Sequence, residues 1–266
     1  MSFTLSMKRV LLPLFVVCTS FLMTSAVAQE RQWFHVVTYH LNSEKSEALF
    51  DKTFAEAVLP GLKKQGLGPI GVFKPIKFAK KQDELARQRC VVYPLSSPEQ
   101  IVSLSENLGS DDAFLQSAAD YLGIEKDAAV FSRVESTLLY AFEGMPQLAV
   151  PANPSDQARV FELRVYESYS EMKGKRKVQM FNEGEIDIFN NVGLDAVFYG
   201  EAIVGKNLPQ LTYMLVYNDE AHHAEVWKKF LTSPAWDKLK KLEQYKDTVS
   251  KIENTFMQAL PYSGIK

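Results

Sequence analysis

The chain has 266 residues, 46% of them hydrophobic and 23% charged, with a formal net charge of −2. An isoelectric point near 6.1 offers none of the basic surface that nucleic-acid binding requires, so no nucleic-acid partner is expected. The length is enough for one large domain or two small ones with a sizeable core.

At the N-terminus, Lys8 and Arg9 precede an apolar run from Val10 to Met23, which closes on Ala26-Val27-Ala28. This is the layout of a cleaved secretory signal, and it predicts a signal peptide over 1–28. The run is short for a membrane span. Val16-Val17 stand before Cys18 where a lipoprotein signal places a small residue, so lipid attachment is not expected. An uncleaved anchor helix is the alternative. Removing Lys8 and Arg9, with no acid in the segment, takes the formal charge from −2 to −4 and leaves Cys90 as the only cysteine. No intramolecular disulfide is then possible. A secreted or periplasmic chain with no stable membrane span is expected.

The mature chain opens with a strand over 32–41. A helix follows over 43–64, with Phe50, Phe54, Ala57, Val58 and Leu62 as its apolar stripe and Gly66 and Gly68 as its stop. Strands are expected near 69–78 and 88–93. Ser97-Pro98-Glu99-Gln100 reads as a capping box that starts a second helix, striped by Ile101, Leu104 and Leu108. A further helical piece carries Phe114, Ala118, Tyr121 and Leu122, and a strand over 129–142 closes the set. Residues 144–157 hold Pro146, Pro151 and Pro154, an extended connector.

The same order then recurs. Strands are predicted at 159–166, 194–203, 210–217 and 249–260, and helices at 171–191, 220–232 and 234–245, with Ser233-Pro234 starting the last. Ser132-Arg-Val-Glu-Ser-Thr-Leu-Leu-Tyr-Ala141 aligns with Ser250-Lys-Ile-Glu-Asn-Thr-Phe-Met-Gln-Ala259, an offset of 118. Trp33 to Tyr39 aligns with Val160 to Tyr166. The chain is read as a tandem duplication, with units at 29–143 and 158–266 joined by 144–157. Each β-α-β-β-α-β unit is ferredoxin-like and leaves one sheet face bare. The predicted fold is therefore α+β, two tandem ferredoxin-like units packed sheet to sheet. Closure within one chain or between two stays open, as does assembly into a homo-oligomer.

In the strand Val160 to Tyr166, Phe161, Leu163 and Val165 share one face and Glu162, Arg164 and Tyr166 the other. The packing argument puts the apolar set under the helices and the polar set in the space between the sheets. Arg164 is a receptor for a carboxylate or phosphate, and pairing with Glu162 across a buried interface is the structural alternative. His35 holds the matching position in the first unit and shares its face with Tyr39; acid–base chemistry and a satisfied barrel histidine are both open. Tyr213 and Tyr217 share a strand face with Leu211 and Leu215 and either line a cavity or pack as core. Adjacent His222 and His223 cannot share a helix face, so they read as surface residues and not as a metal pair. Trp236 reads as core, and Lys173, Lys175, Arg176 and Lys177 as a solvated face. Cys90 lies in an apolar strand and reads as inert. There is no glycine-rich phosphate loop, no G-x-S-x-G and no H-E-x-x-H; no metal or cofactor is expected.

The second unit resembles a NIPSNAP domain. Phe161-Glu-Leu-Arg-Val-Tyr166 is similar to the family's E-L-R-x-Y strand, Leu215-Val-Tyr-Asn-Asp-Glu220 to its aromatic-and-acid segment, and Ser233-Pro-Ala-Trp236 to its D-P-x-W turn. The resemblance covers 159–263. It implies the dimeric α/β-barrel superfamily, which includes cofactor-free monooxygenases, isomerases and haem enzymes. His35 and Val37 depart from Glu162 and Arg164, and Ser233 replaces the family's acid. Three functions follow as expectations. One is an exported protein holding a small, partly apolar anionic ligand between the sheets through Arg164, Tyr166, Tyr39, Tyr213 and Tyr217. Another is an enzyme using Glu162 or His35 for proton transfer. The last is an interaction module with a filled barrel.

Overall fold

The computed structural model describes residues 29–78, 87–152 and 158–266. The expected signal peptide and the end of the connector lie outside them. The first half runs β1 (Trp33–Leu41), α1 (Glu44–Thr53), a π-helical turn (Phe54–Val58), α2 (Leu59–Lys64), β2 (Gly71–Pro75), β3 (Gln88–Leu95), α3 (Gln100–Gly109), α4 (Asp112–Ser117), α5 (Ala119–Leu122) and β4 (Phe131–Ala141). The second half runs β5 (Val160–Glu167), α6 (Glu171–Met180), a π-helical turn (Phe181–Glu185), α7 (Ile186–Val192), β6 (Asp195–Val204), β7 (Gln210–Tyr217), α8 (Glu220–Leu231), α9 (Pro234–Leu239) and β8 (Lys251–Ala259).

Local chemistry sets the helix ends. Ser43 and Ser170 accept backbone N–H groups of Ser46 and Lys173 at the starts of α1 and α6, and Asp219 and Ser233 do the same for α8 and α9. Gly66 (φ 80°) and Gly193 (φ 83°) end the first helical arm of each half in the left-handed region that glycine enters without strain. The capping box expected at Ser97 does not form. Helix α3 starts at Gln100 with Glu99 as its uncapped boundary, and the Gln100 side chain instead accepts the N–H of Ser96 at 2.6 Å.

The strands form a closed antiparallel barrel in the order β1-β3-β2-β8-β5-β7-β6-β4. It closes within one chain through β2 with β8 and β4 with β6. Three apolar layers result. The barrel interior holds Phe34, Phe73, Phe161, Phe198, Met214 and Met257, with Ile265 of the C-terminal tail inserted among them. A second layer lies between the first half's sheet and helices, and a third between the second half's sheet and helices.

The assignment of the two faces of β5 is corrected. Phe161 and Leu163 pack into the barrel, while Glu162, Arg164 and Tyr166 lie on the outer face beneath the second half's helices. The barrel interior suits side chains that need no partner, because eight converging strands must fill it at close packing. Buried polar groups need donors and acceptors brought to them, and here α8 and the neighbouring strands supply these. No helix among the described residues is long and apolar enough to cross a membrane.

Candidate functional site

The second half gathers five of the predicted residues into one network. Glu162 is fully buried, and Arg164 Nη1 donates to its Oε1. Arg164 Nε donates to the Tyr213 hydroxyl at 2.9 Å and Nη2 to the Tyr166 hydroxyl at 3.1 Å, while Tyr213 donates to Tyr166 at 2.8 Å. The other carboxylate oxygen accepts from Tyr217 at 2.7 Å. Burial opposes the charge on Arg164, but the hydroxyls of Tyr213 and Tyr166 and the Glu162 carboxylate outweigh it and hold its pKa up. Burial, and then Glu162, push the Tyr217 hydroxyl far above its ordinary range, so it stays a donor.

Three residues of this network escaped the sequence reading. Asn254 donates to Glu162 at 2.9 Å from β8, and the indole N–H of Trp227 donates to Tyr217 at 2.8 Å from α8. Trp227 also lies under the guanidinium of Arg164, 4.6 Å from ring centroid to Cζ. His223, expected at the surface, packs edge-on to Tyr217, Phe78 and Phe256, with Nε2 3.8 Å from Glu162. Of the basic cluster on α6, Lys175 and Arg176 are exposed as expected, but Lys177 is buried and paired with Glu185 at 2.6 Å. Trp236, expected in the core, is half-buried and packs on Phe230 at the core's edge. Arg164 is thus spoken for by Glu162, Tyr213 and Tyr166, and the barrel interior intended for its ligand holds Phe and Met side chains.

The first half carries a different arrangement at matching positions. His35 and Tyr39 sit on the outer face of β1 and do not bond to one another. His35 Nε2 is 2.6 Å from Ser136 Oγ on β4, and its ring stacks on Tyr93 of β3 at 5.6 Å between centroids. The register explains the likeness: Ser136 lies opposite Val37 as Asn254 lies opposite Arg164, so each reaches diagonally to the residue two places earlier. Burial lowers the pKa of His35, favouring the neutral imidazole, and raises those of Tyr39, Tyr93 and Tyr121. Above these groups is a cavity of about 490 Å³, floored by His35, Val37, Tyr39, Tyr93 and Ser136 and roofed by Val58, Leu62, Leu104, Leu108, Phe114 and Tyr121. The cavity exists because the roof is lightly seated. Between Gln100 and Leu122 only Ala118 is buried, whereas the matching helix α8 buries Val226 and Phe230; the first helical arms bury Phe50, Phe54 and Leu62 in one half and Met180, Phe181 and Phe189 in the other.

A larger hollow, about 640 Å³, lies where the connector passes α7 and the start of β6. Its Arg159 donates to the carbonyls of Lys266 and Ala152. Among the described residues no group of three or more His, Cys, Asp or Glu is placed to hold a metal ion.

Residues 161–264 match the NIPSNAP family model. The match lies wholly within the second half. No curated protein matches the chain. Over nearly its whole length the fold is similar to a protein of Fusobacterium nucleatum provisionally designated a monooxygenase, at 11% identity over 87% of this chain and 94% of that one, with a TM-score of 0.55. A second protein so designated, from Lactobacillus acidophilus, aligns at 9% identity over 86% and 94%, with a TM-score of 0.52. A NIPSNAP-like domain protein of Burkholderia xenovorans aligns at 20% identity over 39% of this chain and 84% of that one, with a TM-score of 0.35. The two full-length likenesses are of fold, the dimeric α/β-barrel type. The segment that matches the family model therefore contains the Glu162 network, and the open cavity lies in the half that the model does not reach.

Proposed function

We propose that the protein binds a small, largely apolar molecule in the helix–sheet cavity of its first half, and that the NIPSNAP domain serves as the rigid half of the barrel. One observation carries this reading: the cavity pairs a mostly apolar roof with a small set of convergent polar groups, the composition of small-molecule sites. The reading moves the ligand away from Arg164. It also takes the chain as two ferredoxin-like units, supported by the recurring element order and by matching strand orders, β4-β1-β3-β2 and β8-β5-β7-β6. Export after removal of 1–28 belongs to the same proposal and rests on the signal-like N-terminus.

Native mass spectrometry of residues 29–266, purified without detergent, tests the site. We expect a bound non-peptide mass that Val134→Trp, at the cavity's rim, displaces and Arg164→Lys leaves in place. A mass displaced by Arg164→Lys alone returns the site to the second half, and a bare mass throughout overturns the binding reading. A second reading, proton transfer by His35, is favoured by the burial that keeps its imidazole neutral and able to accept a proton. In that case His35→Gln removes turnover of the bound molecule while the mass is still retained.

A further inference from the structure

We propose that this cavity selects uncharged aromatic molecules bearing a hydroxyl group, a preference that rests on the cavity being the binding site. The first ground is charge. No Asp, Glu, Lys or Arg lines the cavity among the described residues. An ionised ligand entering it would lose hydration without gaining a counter-ion, and burial of an unpaired charge is strongly unfavourable. Arg89, on the same sheet face, is committed to Asp51 at 2.8 Å and Glu47 at 3.0 Å.

The second ground is the placement of the polar atoms. His35, Tyr39, Tyr93 and Ser136 lie on the strand floor, whereas the roof opposite them is mostly apolar, with Leu104, Leu108 and Phe114 beside Ser105 and Tyr121. A bound molecule is therefore polar chiefly along the edge that meets the floor and apolar over most of its opposite face. Ser136 Oγ uses one position on His35 and, with one donor and two acceptor sites, keeps at least one acceptor for a ligand hydroxyl. The third ground is the density of rings. Tyr39, Tyr93, Phe54, Phe114 and Tyr121 all border the space, and edge-to-face contacts with them favour an aromatic guest over an aliphatic one of equal area.

Titration calorimetry of the chain from residue 29 with β-naphthol and β-naphthoate compares one ring system with and without a charge. β-Naphthol is expected to bind at least about tenfold more tightly, a difference of about 1.4 kcal/mol. Val134→Trp should weaken it by a similar factor, and Ser136→Ala should weaken β-naphthol a few-fold while leaving naphthalene unchanged. Should β-naphthoate bind as tightly as β-naphthol and still be lost in Val134→Trp, the ligand class is overturned and the cavity stands. Binding of β-naphthol that neither Val134→Trp nor Leu104→Trp alters, or no binding at all, overturns the cavity and the class together.

Discussion

The two helix-covered faces of the barrel begin from the same backbone plan and end in opposite states. On the second face, Arg164 lies against Trp227, and each guanidinium nitrogen of Arg164 and each carboxylate oxygen of Glu162 has a partner within the protein. On the first face, His35 and Val37 stand at those positions under a roof in which Ala118 alone is buried between Gln100 and Leu122, and a cavity remains. A buried charge pair requires a full complement of partners, so the face that holds one must be closed. A neutral His–Ser pair makes no such demand and tolerates an open floor. The Glu162-Leu-Arg164-Val-Tyr166 strand therefore marks the filled face.

The largest way to break this contrast is to unbalance the charge pair. Glu162→Ala strands Arg164 beneath the helices, and we expect a loss of about 3–5 kcal/mol in unfolding free energy. Urea denaturation measures it. Cys90 gives an independent readout: it is buried in the barrel, with its thiol pushed up to about 12 by burial, so a thiol reagent labels it only on opening. The joint replacement Glu162→Leu with Arg164→Met should restore most of the loss, since apolar residues of similar volume leave no charge to satisfy. A double variant as unstable as the single one would mean that the tyrosine hydroxyls, and not the charges, hold the layer together.

The two roofs supply the next contrast. Phe189 is fully buried against Tyr199, Trp227 and Phe230, and Phe189→Ala should cost about 3–5 kcal/mol through lost transfer energy and a cavity. Leu104, half-buried over space already empty, should cost about 1 kcal/mol when changed to Ala. Equal losses at the two positions would mean that the first roof is seated as firmly as the second.

Much of this architecture was legible in residue order. The β-α-β-β-α-β order, the Gly stops and the recurrence of Ser132 to Ala141 at Ser250 to Ala259 led to the barrel, because period and punctuation are local properties. The sign of the faces was not legible. Alternation along β5 separates Glu162, Arg164 and Tyr166 from Phe161 and Leu163, but both faces of a closed barrel are buried, so the pattern alone cannot say which is inside. The partners were hidden for a related reason. Aligning Ser132–Ala141 with Ser250–Ala259 sets Ser136 against Asn254, yet only the pairing of β4 with β1 and of β8 with β5 brings these side chains diagonally onto His35 and Glu162. Trp227 and His223 reach the network from a helix, at a distance in sequence that no spacing rule records. The looseness of the first roof depends on how far α3 to α5 settle onto the sheet, which apolar periodicity does not report.

The smallest expected effect sharpens the comparison at the acid end of the pH range. His35 is neutral-favouring because burial lowers its pKa below the ordinary 6.5. In the unfolded chain the same imidazole takes up a proton near that ordinary value, so below about pH 6.5 the unfolded state binds more protons than the folded one. The contribution of His35 is therefore fully present above that point and declines as pH falls toward the folded-state pKa, below which it changes no further. The measurement is the difference in unfolding free energy between the wild-type chain and His35→Gln, followed from pH 7.5 down to about pH 5. We expect the wild-type chain to lose stability relative to the variant across that window. Taking the difference cancels the other histidines, which are common to both chains. A flat difference curve would mean that solvent in the open cavity reaches His35 well enough to restore its ordinary titration. The first face would then be a wet cleft, and the preference for an uncharged guest would lose its footing.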